Sequence, residues 1–201
     1  DNVKQDPLIP ESPAKGAIAK ESVNKEFDAK EWVLSNGAKV VLKKTDFKED
    51  EILFGATAMG GTSVYPESEA CNLQVLEMAA RQISLGTFTS SDLEKYMAGK
   101  QVGVSISVSN YTKGLVGSST PKDLKTLMEL VYMTFVGAGL DADEYQATVS
   151  SISAILKQQE STPQFVFQSK RLEALYPQAR NQMLTADNLV AANRERIVEI
   201  I

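Results

Sequence analysis

The chain has 201 residues, 43% of them apolar and 23% charged, with 21 Lys and Arg against 26 Asp and Glu for a net charge of −5. That length suits one compact domain with a tail, whose core is large enough to fold without disulfides or metal. The acidic balance argues against nucleic acid or an anionic membrane as the main partner, and the absence of any histidine excludes Ser-His-Asp and Cys-His catalysis and every histidine-ligated zinc site.

Residues 1–30 read as a linker or a disordered tail, extended on the surface in either case. Pro7, Pro10 and Pro13 open it, Lys and Asp/Glu alternate through Lys30, and no aromatic precedes Phe27. Neither a period of 2 nor one of 3.6 is present. The domain is expected to span 31–201. Trp32 and Leu34, then Val40 and Leu42, flank Ser35-Asn36-Gly37. An Asn-Gly pair between β-prone runs predicts a hairpin, because both turn residues tolerate positive φ. Glu51 to Met59 reads as a third strand ending at Gly60-Gly61. Pro66 opens a predicted helix to Leu85, with Gly86 as its C-terminal cap. Ser91 and Glu94 form a capping-box pattern for a short helix to Ala98, closed by Gly99.

Val102, Val104, Ile106 and Val108 alternate with Gly103, Ser105, Ser107 and Ser109, which predicts a strand with one buried face. Tyr111 to Ser118 reads as its antiparallel partner. Thr120-Pro121 then opens a helix with Leu124, Leu127, Met128, Val131, Tyr132 and Phe135 as an apolar stripe. Asp141 with Glu144 opens a long helix to about Glu160, with Tyr145, Thr148, Val149, Ile152, Ile155 and Leu156 inward. Thr162-Pro163 opens another, to about Leu175, and Thr185 caps a last one. Strands in antiparallel groups and helices in runs give an α+β fold, a mostly antiparallel sheet with helices on one face. Trp32, Leu34, Val40, Leu42, Leu53, Val104, Ile106, Leu127, Val131, Ile152 and Leu156 are the expected core. Arg194 to Ile201 keeps a helical pattern with no stop signal. A truncation that leaves out a last strand, and self-association through the edge so exposed, are expected from this.

Chemistry-bearing patterns are sparse. Gly55-Ala56-Thr57-Ala58-Met59-Gly60-Gly61 lacks the lysine and spacing of a phosphate loop and fits a strand end with a turn. Ser105, Ser107, Ser109, Ser118 and Ser119 have no base beside them, and Lys113 fits an exposed strand position better than a Ser-Lys mechanism. Asp141, Asp143 and Glu144 cluster where a helix start favours negative charge. Cys71, the only cysteine, permits neither an internal disulfide nor a multi-cysteine zinc site, and fits a small buried hydrophobe. No apolar run reaches the ~18 residues of a membrane span. Asp1 to Gln5 lack the basic-then-apolar pattern of a signal peptide, and the start without methionine fits a processed chain or a fragment.

Three segments carry a resemblance over roughly 145 of the 201 residues. They are Trp32-Val33-Leu34-Ser35-Asn36-Gly37-Ala38-Lys39-Val40-Val41-Leu42-Lys43; Leu93 to Ser109, around Tyr96-Met97-Ala98-Gly99-Lys100-Gln101-Val102; and Ser118-Ser119-Thr120-Pro121-Lys122-Asp123-Leu124 with Leu130-Val131-Tyr132. In this order they resemble a domain of the pitrilysin/insulinase-type zinc metallopeptidases. The family's active half carries His-x-x-Glu-His on its first long helix. Here one register places Gln74, Glu77 and Met78 on the motif, and a second places Glu77, Ala80 and Arg81 there. Neither binds zinc, so Glu77 is expected to be an ordinary exposed helix glutamate, with no catalytic and no metal-ligating residue in the chain.

The resemblance implies the first domain of a degenerate C-terminal half, with residues 1–30 as the linker between halves. Its partners would be the active half, which would hold the zinc, and a peptide substrate, met in part by strand pairing at serine-lined edges. The alternative is a stand-alone degenerate subunit that assembles with a separate peptidase. Proteolysis and hydrolase chemistry would belong to the whole enzyme and not to this inactive domain, and an extracytoplasmic bacterial location is implied.

Overall fold

The computed structural model describes Lys4 and residues 6–201, and divides the chain into two compact units. One is Ile9–Glu51; the other is Ile52–Ile201 with the first residues through Leu8. The boundary therefore falls between Glu51 and Ile52, and not after Lys30. Asp1, Asn2, Val3 and Gln5, which enter the linker and signal-peptide readings, lie outside the described residues.

The smaller unit is an antiparallel meander of β1 (Ile18–Asn24), β2 (Ala29–Leu34) and β3 (Lys39–Leu42), paired in that order. β1 corrects the linker reading of residues 1–30. Its mixed charges hide a strand whose polar groups find partners across the ladder: Trp32 Nε1 donates to Glu21 at 3.0 Å and Asn24 Nδ2 to Glu31 at 2.9 Å. Such cross-strand pairs stabilise a sheet without an apolar stripe. The predicted β2–β3 hairpin is present, with Val33 opposite Lys39. Its turn uses one positive φ rather than two: Gly37, at φ 85°, is left-handed, while the Asn36 side chain accepts from the Ala38 N–H at 3.0 Å.

The larger unit contains strands β4 (Ile52–Met59), β5 (Ile83–Leu85), β6 (Val102–Val108), β7 (Thr112–Ser119) and β8 (Ala138–Leu140). Its helices are α1 (Ala70–Ala80), α2 (Ser90–Met97), α3 (Leu124–Gly137), α4 (Ala142–Glu160), α5 (Pro163–Leu175), α6 (Ala186–Ala191) and α7 (Arg194–Ile200). β4, β7 and β6 form an antiparallel sheet in the order β4-β7-β6, and β5 pairs with β8 in a separate two-stranded ladder. In the register Phe54–Gly117–Val104 one sheet face receives α1 and α3, which both pack on β6. The opposite face presents Leu53, Met59, Val116, Ser105 and Ser107 to solvent. Leu53, expected in the core, is 76% exposed. The run Ile52-Leu53-Phe54-Gly55-Ala56 carries no polar alternation to reveal which face turns inward. α3 approaches the sheet over Gly117, where an added Cβ would lie 3.1 Å from Leu127 Cδ1.

Several helix expectations shift. α1 starts after a 3-10 turn at Glu67–Glu69 and stops at Ala80, so the helix read through Leu85 is shorter. Ile83–Leu85 is strand β5 because β8 offers it a ladder, and Gly86, at φ 58°, turns the chain after a strand instead of capping a helix. The capping box of α2 is Thr89 with Asp92, two residues before the Ser91–Glu94 pattern. Thr120, Asp141 and Thr162 cap as expected, each accepting backbone N–H bonds in the first turn that follows. The last helix is two, α6 and α7, because the Asn193 side chain caps a new start by accepting from the Arg196 N–H.

The buried stripe of α3 is Leu127, Leu130 and Met133, while Leu124, Met128 and Phe135 are exposed. In α4, Ile155 faces solvent and Tyr145, Val149 and Ser153 are buried. Of the expected core only Leu127 is fully buried; Leu42 is exposed like Leu53, and the others are half-buried. The main cluster joins Val75, Leu76 and Ala79 of α1 to Leu140, Tyr145, Val149, Leu189, Ile197 and Ile200. Leu8, in the stretch read as a surface tail, is buried as well. The architecture is α+β, with antiparallel sheets and with helices on one face of the β4-β7-β6 sheet.

Candidate functional site

α1 and its C-cap residue Arg81 carry the positions that the two registers place on the motif, and their neighbours decide what each side chain does. The helix turns one side to the core through its buried residues Ala70, Val75, Leu76 and Ala79. Gln74 is held from both ends of its amide: Nε2 donates to Gln182 O at 2.9 Å and to Ala179 O at 3.1 Å, and Oε1 accepts from Asn188 Nδ2 at 3.2 Å. Met78 packs against the core cluster. Glu77 is 85% exposed and pairs with Arg81 one turn on. An amide committed to backbone carbonyls, a thioether in a core and a carboxylate paired with arginine do not fit a zinc site. In the second register Ala80 offers no ligand atom. Among the described residues no group of three or more His, Cys, Asp and Glu is arranged to hold a metal ion. Cys71 is half-buried on the same helix.

The other carboxylates act as structural acceptors. Asp141 accepts from the N–H groups of Asp143 and Glu144, both at 3.0 Å. Glu144 reaches the start of α2, where its carboxylate accepts from Ser90 N at 3.1 Å, Ser90 Oγ at 2.7 Å and Ser91 N at 3.3 Å. Burial pushes its pKa up, but hydrogen bonds from Ser91, Ser90 and Thr89 outweigh that and bring it down to about 2.

Two arginines from the C-terminal region lock the approach to α1, and no local pattern announces them. Arg180 donates to Glu67 through Nε at 2.9 Å, to Tyr65 O at 2.7 Å and to Thr62 O at 3.1 Å. Arg196 donates to Glu69 at 2.8 Å and lies over the Tyr65 ring. The Arg180 backbone N–H and guanidinium hold the Glu67 carboxyl below the usual carboxylate range, and Asn72 with Arg196 does the same for Glu69.

Two concave spaces are lined in part by β6. One, of about 250 Å³, is lined by Leu76, Glu77 and Ala80 on one side and Ile106, Ser107 and Val108 on the other. The second, of about 230 Å³, includes Ala80, Arg81, Glu94 and Met97 facing Val104 and Ile106. They share Ala80 and Ile106 in their linings. Sequence reasoning marked Glu77 and the alternation of β6 separately. Only the fold brings them to the same cavity.

No protein-family model matches the chain. A curated relative, the zinc protease PQQL-like protein of Arabidopsis thaliana, is 26% identical over 170 residues, covering 84% of this chain and 15% of the relative. Among solved structures, the periplasmic protease PqqL of Escherichia coli superposes with a TM-score of 0.77 at 18% identity, over 98% of this chain and 22% of that one. Pitrilysin superposes with a TM-score of 0.52 at 13% identity, over 94% of this chain and 20% of that one. The chain thus spans only about a fifth of these proteins. Over most of its length the chain is thus similar in sequence to zinc proteases of the PqqL kind and shares the fold of a domain of the pitrilysin/insulinase-type zinc proteases.

Proposed function

We propose that this chain is a non-catalytic domain of a two-half zinc metallopeptidase, packing against the active half and helping enclose the peptide chamber. The observation that supports this most is the use made of α1. The helix that bears zinc ligands in an active half has no histidine here, and Gln74 and Met78 are spent on packing. Zinc, the attacking water and the general base belong in this reading to the partner half. An extracytoplasmic location accords with the periplasmic relative, and no helix among the described residues is long and apolar enough to cross a membrane.

The test combines metal analysis with reconstitution. The chain alone, after dialysis, is expected to hold no stoichiometric zinc and to cleave no peptide. Mixed with a half that carries His-x-x-Glu-His, it is expected to raise that half's peptidase activity. One tightly held zinc per chain, or cleavage by the chain alone, would overturn the proposal.

A further inference from the structure

Asn36 is the chain's only asparagine followed by glycine. The side-chain amide of an asparagine is open to attack by the backbone nitrogen of the next residue, and a side chain on that residue crowds the approach. Gly37 has none, and nothing lies within 4 Å of the place its Cβ would take. Asn36, Gly37 and Ala38 are all exposed at the β2–β3 turn. The Ala38 N–H donates to Asn36 Oδ1 at 3.0 Å. That bond draws electrons from Cγ and stabilises the negative charge that gathers on Oδ1 under attack. One contact opposes the reaction: the Gly37 N–H donates to Leu34 O at 2.9 Å, so the nitrogen must first leave that bond. It is a single solvent-exposed bond at a loop tip, where local opening needs the least free energy.

We infer that Asn36 is a site of spontaneous deamidation in the folded chain. Gly37 N gives its proton to solvent and bonds to Asn36 Cγ; the Cγ–Nδ2 bond breaks, and the nitrogen leaves as ammonia. The five-membered succinimide that remains takes up one water from solvent at either carbonyl. Ring opening yields an aspartyl residue, or an isoaspartyl residue whose main chain runs through Cβ and Cγ. Either product adds a negative charge to a chain that is already acidic. The iso form also lengthens the turn. Register in a hairpin follows loop length, so the Leu34 N–H bond to Ala38 O, 2.8 Å long, loses its geometry. This inference stands on the hairpin alone, so its failure leaves the chamber-wall proposal untouched.

Asn110 is the internal comparison. It too is exposed at a hairpin turn, between β6 and β7, but Tyr111 follows it. The 201-residue chain is aged, folded, in mildly alkaline buffer made with heavy-oxygen water and then cut with trypsin. Cleavage after Lys30 and Lys39 isolates residues 31–39. Mass spectrometry is expected to find the amide of Asn36 replaced by an acid carrying one solvent oxygen. The loss is expected to run roughly tenfold or more faster than at Asn110, the rate effect of ~1.4 kcal/mol in the barrier. An isoaspartyl methyltransferase with labelled S-adenosylmethionine reads the iso form. Asn36→Gln, which would have to close a larger ring, is expected to abolish that methyl acceptance. If the variant does not fold, the peptide map of the native chain decides the matter without it. Amide loss at Asn36 no faster than at Asn110, loss only after unfolding in urea, or undiminished methyl acceptance in folded Asn36→Gln would each overturn the inference.

Discussion

Leu127→Ala tests the way α3 sits on the sheet. Leu127 is 0% exposed and its Cδ1 meets β7 over Gly117, a position open only because glycine has no Cβ. Neighbours held on both sides cannot collapse far into the space left by the lost methyl groups. A buried Leu→Ala change costs ~2–5 kcal/mol, and this close contact places Leu127 near the middle, at about 3 kcal/mol. For a chain of this size each kcal/mol lowers Tm by about 2–4 °C, so a drop of about 6–12 °C is expected. The paired control is Phe135→Ala. Phe135 is 72% exposed and belongs to the stripe that the sequence alone puts inward. Its removal is expected to cost under about 1 kcal/mol. Thermal and urea melts by circular dichroism read both variants. Equal losses, or a larger loss for Phe135→Ala, would refute the helix phase and with it the α3–β7 packing.

Glu144→Gln is expected to cost about 1.5–3 kcal/mol at neutral pH, since an amide satisfies the Ser90 and Ser91 donors poorly. Because the folded pKa, about 2, lies below the ordinary 4.5, the native stabilisation is full above pH 4.5. It fades as pH falls towards 2, and urea melts across that window should show the fade in the native chain and not in the variant. Gly114→Ala is expected to destabilise by about 1–3 kcal/mol, because its Cβ would strike Ala56 O on β4; an unchanged urea midpoint would contradict the β4–β7 register. Arg180→Ala is expected to speed hydrogen exchange at Val64 and Tyr65, whose N–H bonds close the turn that Arg180 clamps. Unchanged protection there would show that the clamp does not order the turn.

The parts of the fold legible in the sequence are those with a local signature. Asn36-Gly37 marked the β2–β3 hairpin, period 2 marked β6, and Thr120, Asp141 and Thr162 marked three helix starts. What stayed hidden depends on partners distant in the chain. β5 and β8 have three residues each and exist because they pair with one another. β1 is polar and holds its place through Glu21–Trp32 and Asn24–Glu31 contacts. The phase of α3 was ambiguous because Leu127, Met128, Leu130, Val131, Tyr132, Met133 and Phe135 leave scarcely any polar side to orient it. At the candidate site, the exposure of Glu77 was expected because a glutamate with no ligand histidines beside it is ordinarily a solvent-facing helix residue. The hold on Gln74 and the two arginine clamps were not, since their partners lie more than a hundred residues away in sequence, with separations of 108, 113 and 127.

The strand order β4-β7-β6 has a consequence for biosynthesis. β4 is made before β7, its only strand neighbour among the described residues, so β6 and both intervening helices must emerge before it can pair. At ribosomal speeds of about 5–20 residues per second, that interval lasts several seconds. Throughout it, Ile52-Leu53-Phe54-Gly55-Ala56-Thr57-Ala58-Met59 is an uncharged, β-prone segment with no ladder to join. The nascent chain therefore passes through a window in which holdase chaperones have a ready target. Slowing elongation between β4 and β7 should lengthen that window and lower the soluble yield, with no change in the stability of the chains that complete folding.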